Sequence, residues 1–184
     1  MTSTKQDIAT ATLQWVETVV IGHNFCPFAK SALDAETIRV AVVETPDFET
    51  CLENLIVECE RLDSDSDIET TLIVYPRTAH QFDDFLDFIA LAEELLATQG
   101  YEGTYQLAHF HPDYQFEGSP ADDPANYTNR SPWPTLHIIR EASLEKAVAS
   151  YPNPEKIPER NIQVARKLGA KTLAAELAAC KKQK

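Results

Sequence analysis

Most of the features that would quickly assign this 184-residue chain to a class are missing from it. No apolar run approaches the roughly 20 residues a membrane-spanning helix needs; the longest are short stretches such as Leu72-Ile73-Val74. The first seven residues lack a signal-peptide core, so the expectation is a cytoplasmic protein with no membrane partner. Cysteine is sparse, at positions 26, 51, 59 and 180 without a Cys-x-x-Cys pair, which argues against a disulfide framework. Five scattered glycines form no phosphate-cradling loop, and neither a Gly-x-Ser-x-Gly elbow nor a His-Glu-x-x-His helix occurs. Positive charge is short as well. Sixteen Lys and Arg stand against 29 Asp and Glu, a formal net charge of −13 that repels a phosphate backbone and removes nucleic acid from the expected partners. The basic cluster Lys181-Lys182-Gln183-Lys184 reads as a solvated tail. A small anionic molecule remains admissible, because a few converging arginines create a local positive pocket whatever the global charge.

What the chain does have is ordinary globular composition: 43% apolar and 24% charged residues lie far from the corner where chains stay disordered. Its length suits one domain, here residues 1–184. Thr4 or Asp7 is placed to cap a first helix with Ile8, Trp15, Val16 and Val19 on one face and Gly22 as its stop. A β-branched run over 38–44 predicts a strand, and Cys51, Leu52, Leu55, Cys59 and Leu62 mark one side of a helix after it. The alternation continues with a strand at 70–75, a helix presenting Phe85, Ile89, Ala92 and Leu96, and a strand at 105–111. Strand, helix, strand, helix, strand predicts an α/β domain with three parallel strands joined by crossovers. A fourth strand at 135–140 has no crossover helix before it and is expected to be antiparallel. The irregular stretch 112–134 is too long for a plain connection, which makes it a candidate ligand-covering loop. The remainder reads as helical, ending in an Ala-rich helix that continues through Gly169.

In an open parallel sheet, ligands bind beyond the carboxyl ends of the strands. There the sequence sets Arg77, then His111 and Asp113, then Asn129 and Arg130, with His137 on the fourth strand. Arginine forks with a titratable base fit a small anionic substrate: Arg77, Asn129, Arg130 and His137 as binding residues, His111 as base and Asp113 as its orienter. Turn chemistry alone also favours asparagine, proline and tyrosine in such a loop. His109 and His111 lie two apart on a strand, and with His137 they form a candidate three-imidazole zinc site for a hydrolase. Ordinary hydrogen-bonded core histidines are the plainer reading, with no metal.

Cys26 precedes a proline at what reads as the first turn of a short helix ending near Leu33, where the helix dipole favours a thiolate. Cys26-Pro27-Phe28-Ala29 is superficially similar to a glutaredoxin site, but Ala29 stands where the second thiol is needed, so dithiol exchange is excluded. Cys26 is then either a lone nucleophile activated by a histidine such as His23 or His111, or a small buried apolar residue between Phe25 and Phe28. The Asp63, Asp65, Asp67 series imitates a calcium loop but has Ile68 where glycine is required.

Cys26-Pro27-Phe28-Ala29, His111-Pro112-Asp113-Tyr114, the stretch from Asn126 to Pro134, and Ile157-Pro158-Glu159-Arg160-Asn161 together resemble the uncharacterised bacterial DUF1415 family, over nearly the whole chain. The resemblance implies a bacterial protein of this size, and it supplies no activity or cofactor to carry over, so the chemistry stays open. The residues themselves point to an enzyme acting on a small anionic substrate, with a non-catalytic binding or interaction protein as the rival class.

Overall fold

The computed structural model describes residues 4–182, so Gln183 and Lys184 of the basic tail lie outside the described residues. Thr4 caps the first helix, α1 (Lys5–Trp15), through a reciprocal box: the Asp7 backbone N–H donates to the Thr4 hydroxyl, and the Thr4 N–H donates to the Asp7 carboxylate at 2.8 Å. The helix runs directly into a π-helical segment, Val16–Ile21. Gly22 ends it by close approach, since a Cβ there would strike the Thr18 carbonyl. A six-residue helix, α2 (Ala29–Asp34), leads to the first strand, β1 (Ile38–Val42).

Next come α3 (Phe48–Ser64), β2 (Thr70–Val74), α4 (Phe82–Thr98), β3 (Tyr105–Phe110), β4 (Thr135–Arg140) and α5 (Glu141–Ser150). The expected Ala-rich helix is two helices, α6 (Ile157–Leu168) and α7 (Ala170–Cys180). Gly169 separates them at φ 83°, a conformation that a side chain disfavours and a continuous helix cannot contain.

One four-stranded sheet has the order β1-β2-β4-β3. β1 pairs parallel with β2, while β4 is antiparallel to both β2 and β3. Hence β1, β2 and β3 point the same way, as the alternation implies, but β4 is inserted between β2 and β3, and only β1 and β2 form a parallel pair. Flanking helices cover both faces, which makes this an α/β mixed sheet.

The period-two alternation of each strand assigns its residues to a face. Towards α3 and α4 point Ala41, Ile73, Tyr75, Leu136 and Ile138, packed with Leu55, Phe85 and Phe88. The opposite face carries Ile38, Val40, Leu72 and Phe110 against Trp15, Val19 and Val20 of the N-terminal helices and Leu173 of α7. A half-buried ion pair sits on the first face: Glu58, 5% exposed, accepts from Arg39 Nε at 2.6 Å and Nη2 at 2.9 Å. No described helix is long and apolar enough to cross a membrane.

Candidate functional site

The carboxyl ends of β2 and β3 and the end of the 112–134 loop do meet, but largely through hydrogen bonds to backbone. His111 is wholly buried. The Asp113 backbone N–H donates to its Nδ1 at 3.0 Å, so Nε2 carries the proton and donates to the Ala79 carbonyl at 3.1 Å. Both ring nitrogens are thereby used, and burial lowers the imidazole pKa from its ordinary value. Asp113 contacts His111 through its backbone, and its carboxylate charge acts on both the His111 ring and Lys181.

Arg130 donates from Nε to the Tyr114 carbonyl at 3.1 Å and from Nη2 to the Ala121 carbonyl at 3.0 Å, with its guanidinium 4.5 Å from the Tyr127 ring centroid. Asn129 donates to the His109 carbonyl at 3.5 Å. Arg77 is exposed. The loop holds a 3-10 helix, Pro124–Asn129, and buries Asn126 completely; the Asn126 amide accepts from the Phe116 N–H and donates to the Pro120 carbonyl. Asp123 pairs with Arg166 of α6 at 2.7 Å, tying the loop to the C-terminal helices. These bonds hold the segment by its own turn chemistry and by one ion pair to α6.

The three imidazoles do not converge. His109 points towards α4, 6.3 Å from the Phe85 ring centroid, whereas β4 sets His137 on the other face, opposite Ala108 in the pairing register. Among the described residues no group of three or more His, Cys, Asp or Glu could hold a metal ion.

Cys26 lies three residues ahead of α2, whose N-cap is Phe28, and so outside the helix's first turn. His23 is engaged with Glu176 at 2.7 Å, and His111 belongs to the opposite side of the sheet, so neither activates the thiol. What Cys26 does face is a cavity of about 490 Å³ that also takes in His137.

This cavity lies between the second face of the sheet and the helices α1, α2 and α5 together with the π-helix. Strand residues Ile38, Leu72, Phe110 and Ile139 form its floor. Small side chains create its volume: Ala29, Ala32, Ala35 and Ala147 line it where larger residues would fill it. Neither α2 nor α5 has a fully buried residue, as expected of helices that wall a hollow rather than plug it.

Among the described residues Glu69 is the one charged side chain that lines the cavity, with no lysine or arginine. Its polar interior atoms are few and specifically disposed. The Thr70 hydroxyl has one proton, which it donates to the Ile138 carbonyl at 2.6 Å. It can only accept at its second short contact, 2.6 Å from His137 Nε2, so His137 carries its proton on Nε2 and its Nδ1 is a lone-pair acceptor. Burial pushes the His137 pKa down to about 4, which keeps the ring neutral at physiological pH. Trp15 is 1% exposed, and its indole N–H has no hydrogen-bond partner among the described residues.

A second groove of about 380 Å³ runs beside Tyr151, Lys156 and Arg160. Arg160 is already bonded there to the Asn24 carbonyl and to Asn161. Sequence reasoning reached Cys26 and His137 but missed the lining role of Trp15, Leu72, Phe110 and Leu144, because apolar residues that line a hollow follow the same periodicity as those that fill a core. The alanines on one side of α2 were the available signal.

Comparisons with curated proteins and with solved structures returned no match. One family matches residues 7–175, almost the entire described fold including every wall of the cavity, and the chain therefore belongs to the family described as "Protein of unknown function (DUF1415)".

Proposed function

We propose that this protein binds a small, mainly apolar molecule in the cavity between the sheet and helices α1, α2 and α5. One observation carries the reading: an apolar hollow of about 490 Å³ opens onto a neutral imidazole whose tautomer is set by Thr70. Ligand sites are typically apolar cavities of about 300–1,000 Å³ with a few placed polar groups. The reading moves the ligand away from the carboxyl edge of the sheet. At that edge His111, Asn129 and Arg130 spend their hydrogen bonds on backbone, which leaves Arg77 without a converging partner. It also favours the binding-protein alternative over turnover of an anionic substrate, since among the described residues no cation lines the cavity to offset a negative charge.

The test is titration with the neutral fluorophore 1-N-phenylnaphthylamine, followed by its emission. Saturable binding is expected in the parent protein, with loss in Ala32→Trp and Ala147→Trp, which fill the cavity from two different helices. Cys26 supplies a covalent check. It is the one partly exposed thiol, since Cys51, Cys59 and Cys180 are 0–2% exposed, so iodoacetamide should modify Cys26 alone and bound probe should slow the reaction. No saturable binding, or equal binding in both filled variants, would refute the reading.

A further inference from the structure

The cavity's chemistry narrows its ligand further, on the condition that the reading above holds. We infer that the ligand is an uncharged, mainly apolar molecule carrying a hydrogen-bond donor, such as a hydroxyl, phenol or ring N–H, that it presents to Nδ1 of His137.

Three observations lead there. First, the hydroxyl of Thr70 has a single proton and gives it to the Ile138 carbonyl, which forces the His137 proton onto Nε2 and leaves Nδ1 as an acceptor. Nδ1 has no hydrogen-bond partner among the described residues, so a donor arriving from the cavity satisfies it. Second, Trp15 is part of the same wall, and its indole N–H is buried with no partner among the described residues. His137 is half-buried rather than sealed, which leaves its Nδ1 accessible to a donor that enters the hollow. Third, the charge pattern selects against an anion. Among the described residues Glu69 is the sole charged one that lines the cavity, and a carboxylate would find there a lone pair at His137 and a negative charge at Glu69 with no counter-ion. An apolar molecule without a donor would fit the walls but leave Nδ1 unmet.

The other titratable residues near His137 do not alter this. Cys26 lines the same cavity, while His109 and His111 lie on the far side of the sheet and act on Phe85 and on Ala79.

Three matched compounds separate this inference from the one beneath it: naphthalene, 2-naphthol and 2-naphthoate, titrated at neutral pH against the intact protein. Naphthalene tests the cavity alone and should bind. 2-Naphthol should bind roughly threefold to tenfold tighter, the worth of one net hydrogen bond, and 2-naphthoate weaker than naphthalene. In His137→Phe the advantage of 2-naphthol should vanish while naphthalene still binds. As a check on the parent protein, the ¹⁵N resonance of His137 Nδ1 should move with 2-naphthol and stay in place with naphthalene. If naphthalene fails to bind, the cavity reading itself falls. If naphthalene binds but 2-naphthol gains nothing, keeps its gain in His137→Phe, or is matched by 2-naphthoate, the donor assignment is overturned and the cavity reading stands.

Discussion

The Thr70 hydroxyl stands 2.6 Å from His137 Nε2 and 2.6 Å from the Ile138 carbonyl, so one side chain of β2 reads two consecutive residues of β4 and fixes the protonation of the imidazole between them. Replacing Thr70 by valine keeps the shape and removes both bonds, leaving the half-buried His137 Nε2–H without its acceptor. The expected cost is about 1–3 kcal/mol of stability, read by urea unfolding. In the parent protein, long-range ¹H–¹⁵N spectra should show the Nε2-protonated tautomer alone; in Thr70→Val the two tautomers should mix.

Acid should weaken the fold earlier than its carboxylates alone would dictate. Burial lowers the pKa of His109, His111 and His137, the last to about 4 against an ordinary value near 6.5. As pH falls through that window the unfolded chain takes up protons that the folded chain refuses. Stability therefore rises with pH between the two values and is lost on acidification, at about 1.4 kcal/mol per unit of depression. Asp123, held at about 2 by Arg166, is displaced in the same direction but at lower pH: its contribution is full above the ordinary carboxylate range and is lost as pH falls through that range. Unfolding curves from neutral pH to about pH 5 should show the decline, and His137→Phe should flatten it. A pH-independent midpoint over that interval would contradict the assignment.

His111 is wholly buried and bridges the Ala79 carbonyl and the Asp113 N–H across two loops. His111→Ala should lower stability by roughly 2–4 kcal/mol through a cavity and two unmet backbone groups. Affinity of the folded fraction for 1-N-phenylnaphthylamine should not change, because His111 lies across the sheet from the ligand cavity. A variant with parental stability and lost binding would reverse the roles given to the two sites.

The fold was legible in the sequence wherever a single physical preference decides. Thr4 and Asp7 make the expected cap, and the apolar periods of α3 and α4 and the β-branched strands fall close to where they are read. Gly169 is a helix breaker only through its left-handed φ, which composition does not reveal. The insertion of β4 between β2 and β3 depends on strand pairing over distance, and one consequence is decisive: it turns His137 away from His109 and His111 and towards Cys26 and Trp15. Proximity of Arg130, Asn129 and His111 followed from topology as expected, but whether their donors face a ligand or a carbonyl depends on local loop geometry that residue identity does not encode.

Backbone ¹H–¹⁵N chemical-shift mapping during a naphthalene titration tests most directly where the ligand sits. The account predicts perturbations confined to residues around the hollow, among them Trp15, Val20, Ala32, Leu72, His137 and Leu144, with the 111–130 loop silent. Shifts concentrated instead at Arg77 and in that loop around His111 and Arg130, or no saturable shifts at all, would contradict it.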